Sequence, residues 1–486
     1  MATATVRQPK VAIIGAGMTG ILLVIKLREA GITDITVFEK KDKIGGTWRE
    51  NTYPGVACDV PAQMYTYEFE PNPDWSNRYA DGAEIQAYFE RVARKYGVLD
   101  CVRFNEAVTD AIYHDGKWQV KTSRGTEMEV DFLISATGIL HHPARPDIKG
   151  IDSFAGALFH TAEWRHDVDL TGKRVGVIGT GSTAAQVVPE VAKIAKDLYV
   201  FQRTAQWILS SENVPFTEEQ KERYRRYPWL LTLAYYLNSF FMQQLFSKAV
   251  IGKAFQHKYV SLLCKANLWL SVRDKTLRKK LTPNYKVGCK RIILNNVFYD
   301  AVQKPNVHLI TDKIASINPA GIQLEDGKQI DLDVIVLATG FHPFNFMRPM
   351  NMVGKNGVHI DQAWKNKIQA YRSVFLPDFP NFFLMLGPNT PIGNYSVIAM
   401  SEVQTKYILQ LIEQWRAGKF NAISPKPEAL KRYNEYLKAG MGPTAWVGGC
   451  QSWYLDKDGD PAMWPYTWKQ WVEEMRTPNY ADFDLV

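Results

Sequence analysis

Val11-Ala-Ile-Ile14, followed by Gly15-Ala-Gly17-Met-Thr-Gly20, decides the fold. The four apolar residues read as a short buried parallel strand. The glycines form a GxGxxG turn that opens a helical pattern through Ile21, Leu22, Ile25 and Leu27. A second apolar run, Ile35-Thr-Val-Phe38, ends at Glu39, nineteen residues beyond Gly20. Strand, glycine turn, helix, strand and acid, in that order, mark a dinucleotide-binding α/β unit. The glycines let the backbone approach a pyrophosphate at the helix N-terminus, and Glu39 can accept from a ribose 2′-OH.

The pattern recurs. Arg174-Val-Gly-Val-Ile178 leads into Gly179-Thr180-Gly181-Ser182-Thr183-Ala184 and a helical run from Ala185 to Ile194. The next strand, Leu198-Tyr-Val-Phe201, ends not in an acid but in Gln202-Arg203-Thr204. A cation there suits a 2′-phosphate that an acid would repel, so the second site is expected to prefer NADPH over NADH. Phe132-Leu-Ile-Ser-Ala-Thr-Gly138 and Val334-Ile-Val-Leu-Ala-Thr-Gly340 resemble each other, each a strand ending in Ala-Thr-Gly. Their positions fit a second dinucleotide unit inserted into the first, running from about His142 to Asp331.

Composition narrows the class. Of 486 residues, 46% are hydrophobic and 22% charged, which excludes a disordered or collagenous chain. Fifty-eight Lys and Arg against 50 Asp and Glu give a net charge of +8, and the basic residues do not run together, so no nucleic-acid partner is expected. Five cysteines never fall at CxxC spacing, which disfavours a zinc ribbon or redox dithiol, and no metal site is expected. The odd count disfavours a full disulfide framework. Met1 to Lys10 lacks the apolar stretch of a signal peptide, so a cytoplasmic location is the default.

Between about 217 and 283 lies a helical stretch. Tyr227 to Ser247 carries no charged residue for 21 positions, yet it contains Pro228, Asn238, Ser239, Gln243 and Gln244 and is flanked by Lys and Arg. A buried helical pair or the wall of a substrate tunnel is the expectation. A true span is disfavoured, and peripheral membrane contact stays open. The aromatics Trp229, Tyr235, Tyr236, Phe240, Phe241 and Trp269 hint at a large apolar substrate. Asp81-Gly-Ala-Glu84 reads as a capping box ahead of an amphipathic helix.

Two dinucleotide units without CxxC point away from a flavin disulfide reductase and towards a flavin monooxygenase. Phe154-Ala-Gly156-Ala-Leu-Phe-His160-Thr-Ala-Glu-Trp164 resembles the FxGxxxHxxxW fingerprint of type I Baeyer–Villiger monooxygenases, within the class B flavin-dependent monooxygenases. It lies just ahead of the second glycine turn, as in that family. Trp164 separates it from the related N- and S-oxygenating enzymes, whereas Arg165 stands where the family usually has Pro or Asp. Gly45-Gly-Thr47-Trp48, Tyr53-Pro-Gly55 and Cys58-Asp59 are similar to the family's flavin-covering motif, and the likeness continues to Ser452-Trp453-Tyr454 and Trp464-Pro465.

The resemblance implies an α/β fold of two Rossmann-like domains, for FAD and NADPH. Residues 1–141 and 332–486 would form the FAD-binding domain, the latter part including the C-terminal active-site loop and tail. Residues 142–331 would form the NADPH-binding domain, with the helical insertion at about 217–283. It also implies a ketone and O2 as reactants, oxygen insertion to an ester or lactone through a flavin peroxide, and a monomer or homodimer. Arg291, in Cys289-Lys290-Arg291, would be the cation beside the flavin, also touching NADPH, with Asp59 as its acidic partner. FAD would contact Gly15, Gly17, Met18, Gly20, Glu39, Thr47, Trp48, Asp59, Tyr65 and Val108, with the segment from Gly387 to Val397 returning near the flavin ring. NADPH would lie on Gly179 to Ala184, with Arg203, Thr204 and Lys290 at its 2′-phosphate and Trp453 closing over the nicotinamide. His160 and Trp164 would couple the domains rather than transfer protons. The alternatives are a flavin-dependent S- or N-oxygenating enzyme and a dinucleotide-binding redox protein that oxygenates nothing.

Overall fold

The Val11–Ile14 run is buried at every residue, and it forms the centre of a five-stranded parallel sheet. On one side lie Phe132–Ser135 and then Phe382–Leu384; on the other lie Ile35–Phe38 and Val102–Arg103. Apolar residues at successive positions are what a strand covered on both faces needs. The structure, a computed structural model, describes residues 6–390, 395–450, 452, 454–456 and 458–486.

A second parallel sheet has the order Val307–Ile310, Asp197–Phe201, Arg174–Ile178, Val334–Leu337 and Ala157–His160. Here the expected boundary shifts. Resumption of the first unit at 332 would put Val334–Leu337 in the first sheet, but this strand pairs with Arg174–Ile178 and Ala157–His160 in the second. The chain crosses back only after Gly340. The outgoing and returning segments run side by side there, with Ala144 N–H donating to Gly340 O and His342 N–H to His142 O, both at 2.8 Å.

The two Ala-Thr-Gly strands serve the same purpose in each sheet. Gly15 has φ +101°, and a Cβ on it would lie 2.7 Å from Ala136 O. Gly179 has φ +119°, and its Cβ would lie 2.3 Å from Ala338 O. Only glycine combines that backbone conformation with that close approach.

The insert comprises helices Glu218–Arg226, Trp229–Phe241, Ala254–Ser271 and Lys275–Leu281, with a π-helical turn at Met242–Ser247. It is not the buried pair expected. Trp229, Tyr236, Phe240, Phe241 and Trp269 all face outward, so they line no tunnel and give no measure of substrate size; Tyr235 alone of the six is half-buried. The polar side chains turn inward instead: Ser239 shares a hydrogen bond with the Tyr395 hydroxyl, and Asn238 Nδ2 donates to Gln63 Oε1 at 3.3 Å. Among the described residues, no helix is long and apolar enough to cross a membrane.

Cys289 and Cys450 form a disulfide, while Cys58, Cys101 and Cys264 are free, giving one crosslink rather than a framework. Asp81 caps the Gly82–Lys95 helix by accepting from Glu84 N–H at 2.8 Å. The expected reciprocal half is missing, because the Glu84 carboxylate takes the Ser76 N–H instead.

Candidate active site

Helix N-termini leave N–H groups without intrahelical partners. Among the described residues, six helices meet that need with side-chain caps from Asp81, Thr217, Asp274, His359, Ser396 and Thr467. The helices Met18–Glu29 and Ser182–Val191, which follow the two glycine turns, begin at Gly17 and Gly181 with no side-chain cap and no acid in the first turn. Those two helix starts are suited to phosphate oxygens. A Cβ on Gly181 would meet nothing within 4 Å. The residues present therefore fit two dinucleotides.

In the first unit, the Glu39 carboxylate is buried and accepts backbone N–H groups from Ala16 at 2.9 Å and Lys41 at 3.0 Å. Its backbone also pairs with Arg103 and Glu106, which brings buried Val108 to the neighbouring strand start. The Gly20 position allows no side chain, since a Cβ would lie 2.0 Å from Gly15 O. Met18 O accepts from the Tyr67 hydroxyl. Thr47 opens a one-turn helix whose Trp48 indole N–H donates to the Tyr65 hydroxyl at 3.1 Å, the rings meeting edge to face. Burial holds Tyr65 protonated at any working pH.

The Cys58-Asp59 loop of this unit meets the Cys289-Lys290-Arg291 segment that follows the insert. Arg291 Nε donates to Asp59 Oδ2 at 2.9 Å, and its Nη2 donates to Asp59 Oδ1. Asp59 raises the guanidinium's already high pKa further, so Arg291 keeps its charge. About a third of its side chain remains exposed (34%), against 17% for Asp59. The buried Tyr454 hydroxyl lies against the same guanidinium. The Cys289–Cys450 disulfide ties that tail segment to the irregular segment bearing Arg291, just ahead of the strand Ile293–Leu294. Trp453 lies outside the described residues, as do residues 391–394 of the returning segment; Asn389, before them, donates to Pro461 O and Met463 O at 3.3 Å.

In the second unit, Thr180 Oγ1 donates to Thr204 O at 2.7 Å and fixes the glycine turn to the Gln202-Arg203-Thr204 corner. Arg203 is exposed there. Lys290 lies near enough that burial, and then the charge of Arg203, hold its ammonium below the ordinary lysine pKa. Two cations converging without a carboxylate between them favour an anion. Ser182, Thr183 and Ala184 form the first turn of the following helix.

One junction was not foreseen. The Tyr53 hydroxyl donates to Gln186 Oε1, and Gln186 Nε2 donates to Ala57 O, both at 2.9 Å. Gly55 comes so close to this helix that its Cβ would lie 2.6 Å from Gln186 O. The Tyr53–Ala57 segment thus rests on the helix of the second glycine turn. A lone Gln in a helical run gave no signal of this.

The Phe154–Trp164 fingerprint lies along the edge strand Ala157–His160, beside Val334–Leu337. A Cβ on Gly156 would lie 2.4 Å from Asp333 O, and Phe154 packs with the same apolar cluster. Buried His160 accepts from Ala162 N–H through Nδ1 at 3.1 Å and meets the edge of Phe341 at the return crossing. Burial lowers its pKa. Trp164 packs edge to face on Phe159. These contacts are packing contacts, centred where the chain returns to the first sheet.

Two dinucleotide cradles with a fixed cation at their junction define a two-cofactor oxidoreductase. Residues 8–422 match the flavin-binding monooxygenase-like family, and the chain belongs to it. The chain is 46% identical over 462 residues to an uncharacterized monooxygenase of Mycobacterium tuberculosis, covering 95% of this chain and 93% of that one. It is 36% identical over 482 residues to a Baeyer–Villiger monooxygenase of Streptomyces coelicolor, covering 98% and 92% respectively. Among solved structures it resembles an oxidized steroid monooxygenase bound to NADP, with a TM-score of 0.87, 27% identity and coverage of 99% and 100%. A closed cyclohexanone monooxygenase gives a TM-score of 0.86 at 27% identity, with the same coverage.

Proposed function

We propose that this chain is an FAD- and NADPH-dependent Baeyer–Villiger monooxygenase, which inserts one oxygen atom from O2 beside a ketone carbonyl to give an ester or lactone. The observation that carries this reading is the Asp59-held Arg291 at the meeting point of the two cradles. Bound FAD supplies the redox chemistry, accepting hydride from NADPH and reacting with O2.

The protein's part is binding, orientation and electrostatics. The start of the Met18–Glu29 helix and the Glu39 carboxylate hold the flavin nucleotide, with Trp48, Tyr65 and Val108 beside it. The start of the Ser182–Val191 helix takes the NADPH pyrophosphate, while Arg203 and Lys290 take the 2′-phosphate. Arg291 faces negative charge as it develops on the oxygen of a carbonyl under attack, where a preoriented cation has its largest effect. Asp59 positions Arg291, and Tyr454 closes over the pair from the tail. His160 and Trp164 position the return crossing and transfer no proton. The FAD domain is formed by residues 1–141 together with the chain beyond the return crossing at Gly340, and the NADPH domain by the chain between them.

The test is NADPH consumption by FAD-loaded protein with cyclic, linear and aryl ketones and one thioether, products read by mass. Ketone-dependent turnover yielding an ester with one added oxygen supports the reading. Turnover on the thioether alone favours the S-oxygenating alternative. NADPH oxidation unaffected by every substrate, with hydrogen peroxide as sole product, favours a redox protein.

A further inference from the structure

We propose that the helical insert seats this enzyme on the surface of an anionic lipid bilayer. The Trp229–Phe241 helix is apolar on its outer face as well as its inner one, where Leu231 is buried and Tyr235 packs on the core. A surface helix of a water-soluble protein turns its apolar stripe to the core and its polar residues to water. Here Asn238 and Ser239, with Gln243 of the following π-helical turn, point inward to Gln63 and Tyr395, while Trp229, Leu233, Leu237 and Phe240 face outward. The Ala254–Ser271 helix presents a second apolar row at Phe255, Leu262 and Trp269. Trp229 is 62% exposed, Phe240 63%, Phe255 78% and Trp269 63%. Every strongly exposed Trp and Phe among the described residues falls within these two helices.

The charge around these rows selects the lipid. Arg223 to Arg273 contains eight Lys or Arg and no Asp or Glu. Extended to Lys280, the segment holds twelve basic residues against Asp274 alone, an excess larger than the chain's whole net charge of +8. Lys258 and Lys265 stand exposed between Phe255 and Trp269 on the same helix. Exposed aromatics interleaved with lysines, on helices too short and too polar to span, describe interfacial helices. A second copy of this chain is the poorer occupant, because both copies would bring the same basic face together. The remainder of the chain is net acidic, so the insert is the face an anionic surface attracts.

The test uses full-length, FAD-loaded protein sedimented with vesicles of phosphatidylcholine containing phosphatidylglycerol, or of phosphatidylcholine alone, with analytical ultracentrifugation in parallel. The variants are Phe240→Ser/Phe255→Ser and Lys258→Glu/Lys265→Glu, all at exposed positions outside the cofactor cradles. Flavin absorbance checks folding, and no turnover is required, so the result is independent of the oxygenation reading. The expected result is sedimentation with the anionic vesicles only, weakened by salt and reduced at least about tenfold in each variant. Equal binding to both vesicle types overturns the anionic-lipid assignment. Binding that neither variant reduces overturns the assignment to this face. Absence of vesicle binding also overturns it, and a dimer broken by Phe240→Ser/Phe255→Ser would then assign the face to a second copy.

Discussion

Asp59 and Arg291 stand 232 residues apart in the chain and meet through two parallel hydrogen bonds along the Nε–Nη2 edge of the guanidinium. The carboxylate comes from the first dinucleotide unit and the arginine from beyond the insert of the second. An ion pair this exposed contributes modestly to stability. Its geometric effect is larger, because it fixes the direction of a charge that does not titrate. Arg291→Ala should still bind FAD and be reduced by NADPH, yet ester formation should fall at least about a hundredfold, the scale for loss of a preorganised donor. Asp59→Asn keeps the shape and loses the charge, and should reduce ester formation by about 1.5–3 kcal/mol. Stopped-flow reduction of the flavin beside product yield separates the two steps. Retained ester formation in Arg291→Ala removes this arginine from its role.

Arg203→Ala should weaken NADPH by about 1–3 kcal/mol and leave NADH nearly unchanged. KM measured for both cofactors checks this. An equal loss for the two would contradict a 2′-phosphate contact.

Lys290 gives the same site a pH dependence. Burial and Arg203 keep its ammonium below the ordinary value of 10.5, so it loses its proton at a lower pH than a free lysine. A 2′-phosphate is attracted to the ammonium and not to the amine. KM for NADPH should therefore rise as pH climbs through the lowered pKa, while KM for NADH stays flat. Lys290→Arg should abolish the rise, since a guanidinium does not deprotonate there.

Two glycines of one turn should behave differently. At Gly179 a side chain meets both a strained φ of +119° and the Ala338 carbonyl, so Gly179→Ala should damage the second sheet itself, seen as a lowered Tm. At Gly181 a Cβ meets no protein atom. Gly181→Ala should fold, keep its flavin colour and lose NADPH affinity, because the methyl group occupies the approach to the helix start. Unchanged NADPH affinity in that variant would move the pyrophosphate elsewhere.

What the sequence disclosed depended on how local the signal was. The turns Gly15–Gly20 and Gly179–Ala184 were legible because strand, turn and helix are contiguous. Asp59 facing Arg291 was legible only through family resemblance, as nothing in spacing joins residues so far apart. Val334–Leu337 was assigned to the wrong side of the boundary because a buried parallel strand reads the same in either sheet. The outward face of the Trp229–Phe241 helix was misread for a related reason. Apolar periodicity reports that a helix has an apolar side, not that water lies against it. The Tyr53–Gln186 contact and the Cys289–Cys450 bridge have no local signature at all.

The order of strands in the first sheet bears on how the chain is made. Val11–Ile14 leaves the ribosome first, but Phe382–Leu384, which completes that sheet, leaves only after the whole second sheet has been synthesised. Domains usually fold in the order of synthesis. Here the enclosed unit can finish before its host, and the oldest strands wait longest with an open edge. Completion of the first sheet is therefore a late event in biogenesis, and a nascent chain stopped short of Phe382 exposes a pairing edge that invites aggregation.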